Sequence, residues 1–514
     1  MSLFHTFERQ LKRICFIFFI LLCIRFVFAS CYTQIDNIPQ TIIVFAVAFG
    51  LGVWSYPSAF FAFALYVPIF RGLEQSALLS LSSIPSFVFS AIILGYSSRA
   101  AFAHNRWLTT ANRDSQKSTA TSSQRQGNYF SILEITQKLA YILKIAITIA
   151  IASKLFDVRN SNGWLKDFWT KSDFPYESPL YFITAGFIWL QGLFFFTFAL
   201  KEKNNLLGRT HFCLVVYAIV IIIFWLIQII LHLPFLDLYA PFSPYEETHA
   251  LSGVTSSMLV YLLATISAQN YKKKIMDTVL SLALMVITFF CYNRISWSSV
   301  VFGCGLVIWW KLPKKYLYFF GFAIITSILI LNFKSKKLAD TWHGRRLTSL
   351  ARIESFESKD APRSALYKRA IRMIKARPLT GFGVGSYYTH SLQFGRETEQ
   401  YYDYQTFAHN LILQLTAEMG VPITIVFCIL IILALSNGYT SAKAGSSEAT
   451  GLLIATVVYL TVQMATHVLS TYVSQQFFFW LLIAALTTAV KRTAPVVAKS
   501  IEDITLAHQP RATS

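Results

Sequence analysis

The chain has 514 residues, of which 55% are hydrophobic and 16% aromatic, with a formal net charge of +20 and a mean hydropathy of +0.50. That composition excludes a string of ordinary soluble domains and belongs to the membrane class. The positive charge lies in short clusters between apolar runs, as in cytoplasmic loops, which argues against nucleic acid as a partner. Six of the seven cysteines fall within apolar runs, and no disulfide framework or zinc spacing is present.

Lys12 and Arg13 precede an apolar run from Ile14 to Phe28. Phe28, Ala29, Ser30 and Cys31 loosely resemble a lipoprotein cleavage box, but Arg25 inside the run favours a retained first helix. Further runs long enough to cross a bilayer lie near 38–56, 57–70, 73–96, 133–156, 179–200, 212–233, 250–269, 275–292, 295–310, 317–332, 410–436, 450–468 and 475–490. The short run 57–70 reads either as a span or, with its predecessor, as one re-entrant unit. The predicted fold is therefore an all-α polytopic membrane protein with roughly 12 to 14 transmembrane helices.

Alternation from a cytoplasmic N-terminus puts the basic loops on one side. The inside loops hold Arg99, Arg106, Arg113, Lys117 and Arg125, then Lys201, Lys203 and Arg209, then Lys272 to Lys274, then Lys311, Lys314 and Lys315, and finally Lys491 and Arg492. The loop around Asp237, Glu246 and Glu247 is outside. Residues 107–128 are rich in Ser, Thr, Gln and Asn and read as a flexible cytoplasmic linker. No internal repeat supports an inverted-repeat transporter.

The chain thus divides into transmembrane helices over 1–332, a large polar insert over 333–408 on the outer side, transmembrane helices over 409–490, and a cytoplasmic tail over 491–514. Long loops cross a membrane regardless of their basic residues. Function is to be sought in the insert and the helix after it.

Within the insert, residues 363–377 form an amphipathic helix ended by Pro378. Leu366, Tyr367, Ala370, Ile371 and Ile374 share one face, and Lys368, Arg372 and Lys375 the other. The basic face suits lipid phosphates. Arg363 falls on the apolar side, an odd place for a guanidinium unless it meets an anion. The run from Gly381 through Gly383 to Gly385 then reads either as a plain turn or as a loop shaping a substrate pocket. It is no dinucleotide fingerprint, because no strand-helix unit surrounds it.

Where the insert re-enters the membrane, Asn410, Gln414 and Glu418 recur every four residues, a polar stripe on a helix otherwise fit for lipid. Pro422 deprives the Glu418 carbonyl of its helical donor, so a bend is expected there. His409 reads as structural or catalytic, about one and a half turns above Gln414 near the outer surface. Arg294, at the outer end of two closely spaced helices, reads as a snorkelling charge or a ligand. His467 is a weaker candidate.

These residues, in this order, resemble the O-antigen ligase superfamily, which includes O-antigen ligases, bacterial protein O-oligosaccharyltransferases and O-antigen polymerases. The resemblance rests on Arg294, then Arg363 to Tyr367, then Pro378, Gly381 and Gly383, then His409 and Asn410 opening a helix that reaches Glu418 and Gly420; it covers roughly residues 290–425. It implies a glycosyltransferase of the bacterial inner membrane with a periplasmic loop. The implied donor is an undecaprenyl-diphosphate-linked glycan, passed en bloc and with inversion to an acceptor hydroxyl. His409 and Arg363 are the implied catalytic residues, and Arg294, Asn410, Gly381, Gly383 and Glu418 the implied substrate-binding ones. No metal and no cofactor is implied; membrane lipids are partners.

A lipid A-core sugar is the favoured acceptor, since protein ligases commonly extend far beyond this helix and here two spans and a short tail follow. A protein (pilin) acceptor comes next, then a growing glycan, and outside the class a lipid-glycan flippase or transporter. The topology is tested by single cysteines in an otherwise cysteine-free chain. Gly395→Cys should react with an impermeant maleimide in intact spheroplasts and Ala120→Cys should not; the reverse pattern overturns the orientation.

Overall fold

A computed structural model describes residues 2–33, 38–54, 87–98, 127–158, 164–170, 180–200, 206–231, 248–266, 271–291, 293–333, 361–395, 407–466, 469 and 473–489. The predicted span 57–70, the linker 107–128 up to residue 126, the tail 491–514 and His467 lie outside them. The helices are α1 (Ser2–Thr33), α2 (Ile38–Trp54), α3 (Phe87–Ser98), α4 (Gly127–Val158), α5 (Trp164–Thr170), α6 (Tyr181–Ala199), α7 (Leu206–Leu231) and α8 (Thr248–Thr265). They continue as α9 (Tyr271–Phe290), α10 (Arg294–Lys311), α11 (Lys314–Phe333), α12 (Ala361–Ala376), α13 (Ser386–His390), α14 (Leu411–Lys443), α15 (Ser447–Gln463) and α16 (Val473–Thr488). Among the described residues there is no strand, and the fold is all-α, as read from the sequence.

Length and apolarity suffice to cross a membrane in four described stretches: Leu133–Leu155, Tyr181–Ala199, Leu206–Ile227 and Leu411–Lys443. Shorter apolar helices include Phe87–Ser98, Leu251–Thr265, Ser447–Gln463 and Gln475–Thr488. α6 is buried nearly all round, as a helix with no polar face should be when neighbours enclose it. α4 and α16 flank it, and α14 packs on both of those. Gly192 of α6 makes the close approach to α16: a Cβ there would lie 2.4 Å from Trp480 Cδ1, and small residues are what bring transmembrane helices together. Phenylalanines fill the remaining space, with Phe19 stacked on Phe194 and Phe89 against Phe477.

A second group forms around α8, which packs against α9, α10 and α15. Hydroxyls on α8 bind its neighbours: Ser252 Oγ accepts from Asn293 Nδ2 and Ser296 Oγ, both at 2.8 Å, and Thr255 Oγ1 accepts from Thr288 Oγ1 at 2.9 Å. At the other end of α10, Lys311 Nζ donates to the Ala264 carbonyl and to Ser447 Oγ. Since Lys311 ends α10 and Ser447 begins α15, these two packed helices are antiparallel. Arg294 therefore lies at the same end of the bundle as the C-terminus of α15. Exposed apolar side chains such as Phe319, Phe322 and Ile325 on α11 and Ile42, Ile43 and Val47 on α2 form surface fit for lipid.

Arg25 behaves as a packed residue. It is 2% exposed, and its Nε donates to the Phe168 carbonyl of α5 at 2.6 Å with the guanidinium over the Phe168 ring. α1 begins well before Ile14 and runs unbroken to Thr33. α14 also extends past its expected end near 436, to Lys443.

Candidate active site

The site begins with a helix that breaks. Inside α14, Gly420 takes φ 80°, ψ 166°, a conformation open to glycine alone. The bend expected from Pro422 is real, and glycine two residues earlier executes it. The break releases backbone groups, and the glycine loop takes them up. Phe382 N donates to the Ala417 carbonyl at 3.1 Å, Gly383 N to the Glu418 carbonyl at 2.8 Å, and Val421 N to the Pro378 carbonyl at 2.8 Å. Gly381 fits because it has no side chain: a Cβ there would sit 2.3 Å from the Glu418 carbonyl oxygen, and one on Gly420 would sit 2.3 Å from that of Leu379.

The Glu418 side chain completes the seat. Its carboxyl accepts from Gly385 N at 2.9 Å, from Tyr387 N at 3.4 Å and from Gln414 Nε2 at 3.2 Å. At 2% exposure it reaches the protein's own backbone. The polar stripe thus divides its labour. Glu418 and Gln414 hold the loop, while Asn410 caps α14, its Oδ1 accepting from Leu413 N at 3.0 Å and its Nδ2 donating to the Met464 carbonyl at 3.1 Å. Met464 follows α15, so this bond brings the start of α14 to the end of the bundle where Arg294 lies. Arg294 is the first residue of α10 behind its own cap, Asn293.

α13 joins the remaining parts. The Tyr387 hydroxyl donates to the Leu366 carbonyl at 2.9 Å, tying α13 to α12 three residues beyond Arg363. Burial pushes the Tyr387 phenol well above its ordinary pKa, with Arg369 opposing, so it remains a donor. The Tyr388 ring packs on Phe407, two residues before His409. Ala370, Met373, Phe382, Tyr387, Ala408 and Ala417 form a small core beneath these connections.

His409 precedes the helix instead of lying in it, and takes φ 48°, a left-handed conformation that costs a non-glycine residue on the order of 1 to 3 kcal/mol. Fully buried Ala408 on one side and the Asn410 cap on the other hold it there. The ring is half-buried.

α12 departs from its expected orientation. Leu366, Arg369, Ala370 and Met373 are buried, while Ile371 is 42% exposed. The helix docks on α14 and the turn after α13, and that docking rotates Arg369 inward, 3% exposed, beside Gly395. Periodicity hid it, because an arginine at position 369 scores as polar wherever the helix is laid. Arg363 is half-buried at the N-terminal end, with Lys368 fully on the exposed side. Lys154, at the end of α4, was also missed: its stem lies against Gly383, where a Cβ would meet Lys154 Cε at 3.1 Å.

Residues 279–428 match the family model described as O-antigen ligase. Over that segment the chain is similar to the O-antigen ligase family. The match runs from α9 through the break in α14 and includes Arg294, Arg363, the glycine loop, His409 and Glu418. No curated protein matches the chain. That similarity supports glycosyl transfer in general.

If the glycine loop seats in the break as described, Gly420→Ala should lower the melting temperature in detergent by several degrees, through strain of about 1 to 3 kcal/mol. Gly321→Ala, where a methyl meets nothing within 4 Å, should leave it unchanged or slightly raised. Equal shifts from the two substitutions would show that the loop is not seated there.

Proposed function

We propose that the chain transfers a glycan en bloc from an undecaprenyl-diphosphate-linked donor to an acceptor hydroxyl on the periplasmic side, with inversion and without a metal. The observation that carries this reading is the O-antigen ligase match over residues 279–428, a segment that includes the broken helix and the glycine loop seated on it. A lipid A-core sugar is the acceptor favoured here; a protein hydroxyl and a growing glycan are the alternatives within the class.

In the proposed step, the acceptor oxygen attacks the anomeric carbon, the bond from that carbon to the diphosphate oxygen breaks, and the electron pair leaves with the diphosphate. Diphosphate needs charge stabilisation more than a proton, which suits the permanent, planar guanidinium of Arg363, with Arg294 as a second ligand. The acceptor proton passes to His409, which a neutral imidazole can take at physiological pH. Its left-handed backbone supports the assignment, because strain held in place by both neighbours is typical of residues selected for where they point. Gly381 and Gly383 shape the donor pocket. Asn410 and Glu418 act on the substrates through the segments they fix.

His409→Ala in purified protein should leave donor binding intact and lower transfer by roughly a hundred-fold or more, the contribution of a positioned base. Arg363→Ala should cost a comparable factor. Arg363→Lys should rescue it incompletely, because lysine lacks the fork, while Lys368→Ala on the exposed face should cost little. The assay supplies lipid-linked donor with glycolipid, protein and glycan acceptors in turn. Near wild-type transfer by the His409 variant would remove the base from the mechanism. Movement of intact lipid-linked glycan across vesicles, without cleavage of the diphosphate bond, would replace the enzyme with a transporter.

A further inference from the structure

His390 ends α13 and takes no part in the step proposed above. Its Nδ1 lies 3.2 Å from the Ser386 carbonyl oxygen and 2.9 Å from Thr389 Oγ1. The Thr389 hydroxyl itself donates to the Ser386 carbonyl at 3.0 Å. A carbonyl only accepts and the hydroxyl hydrogen is already used, so the proton in this group belongs on Nδ1. In the neutral ring, Nε2 is then a lone-pair acceptor held in a fixed orientation. Among the described residues no hydrogen-bond partner meets it, and the side chain is half-buried.

The charges around it are positive. Lys154 reaches from α4 across Gly383, and the Arg377 guanidinium lies over the Phe382 ring at 4.7 Å, the ring on which His390 also packs at 5.4 Å. Burial first, and then these two cations, hold His390 below the ordinary histidine range, against the opposing Ser386 carbonyl. The imidazole is therefore neutral at pH 7.

An acceptor lone pair on a ring with two cations nearby selects a mixed ligand. The cations suit phosphate oxygens, but Nε2 offers a phosphate nothing, since both are acceptors. It needs a hydroxyl or an amide N–H covalently close to the anion. In a glycan linked through diphosphate, that group sits on the first sugar.

We propose that His390 Nε2 accepts a hydrogen bond from a hydroxyl or amide N–H on the donor's first sugar, beside a diphosphate seat to which Lys154 and Arg377 contribute. His390 is thereby a specificity-determining residue of the donor subsite, and Lys154 brings to it a side chain from outside the matched segment 279–428. The proposal rests on the donor reading above.

Two substitutions separate binding from bracing. His390→Gln keeps an acceptor near the Nε2 position, and His390→Asn keeps a donor near the Nδ1 position but loses the acceptor. With the full-length purified chain and a lipid-diphosphate-linked oligosaccharide, His390→Asn should raise the donor KM about ten-fold, the scale of one hydrogen bond, with kcat little changed. His390→Gln should stay within about three-fold of wild type. The wild-type donor KM should also rise as pH falls through the depressed histidine pKa, because protonation of Nε2 removes the acceptor, and this rise should be absent from His390→Asn. A wild-type KM in His390→Asn with a loss in His390→Gln would mean that the ring only braces Ser386, and would overturn the proposal; so would an unchanged acid rise in His390→Asn. If the wild-type chain fails to cleave the lipid-diphosphate-linked glycan, the donor reading itself fails, and the subsite with it.

Discussion

A transmembrane helix that stops bonding to itself in an apolar surround strands its backbone groups, and each stranded group costs several kcal/mol. The break at Gly420 creates that situation, and the loop from Pro378 to Gly383 resolves it through the Ala417 and Glu418 carbonyls and the Val421 amide. Loop and helix are therefore obligatory partners. The loop lies outside the regular helices, yet its path is set by the helix it repairs. Glycines at 381 and 420 are the physical condition for the contact, since a methyl on either would meet backbone at 2.3 Å.

From that contact the rest of the site follows. Glu418 fixes Gly385 and Tyr387 at the start of α13, and Tyr387 and Tyr388 then position α12 and the approach to His409. Two segments far apart in sequence, one bearing an arginine and one a histidine, are held to a single buried carboxyl group. The positive side chains Arg363, Arg377 and Lys154 stand on or against the elements so held. Those cations suit the proposed reaction, whose leaving group is an anion.

Much of this was legible in the sequence. Apolar runs gave the helices, because the bilayer's thickness sets their length, and the recurrence of Asn410, Gln414 and Glu418 marked the helix that matters. What they do was less legible. A carboxyl group in an apolar helix reads as a ligand for substrate until the glycine loop, some 30 residues upstream by the bond separations, is seen to supply its donors. Arg369, His390 and Lys154 escaped notice because burial depends on docking that periodicity does not encode. His390 also lacked any local pattern: its tautomer depends on Ser386 and Thr389 within one short turn. Pro422 announced a break, but the residue that bends is Gly420, because a freed carbonyl permits a kink without fixing where the dihedral change falls.

The central claim, that Glu418 organises the site through the loop, is tested most directly by amide hydrogen exchange at Gly385 and Tyr387, read alongside glycan transfer in Glu418→Gln. The amide side chain keeps one acceptor oxygen and turns a donor toward the backbone N–H groups. The structure predicts that exchange at both amides accelerates and transfer falls with it, in a protein that stays folded in the membrane. Loss of transfer with exchange unchanged would contradict the claim and would make Glu418 a group that meets the substrate itself.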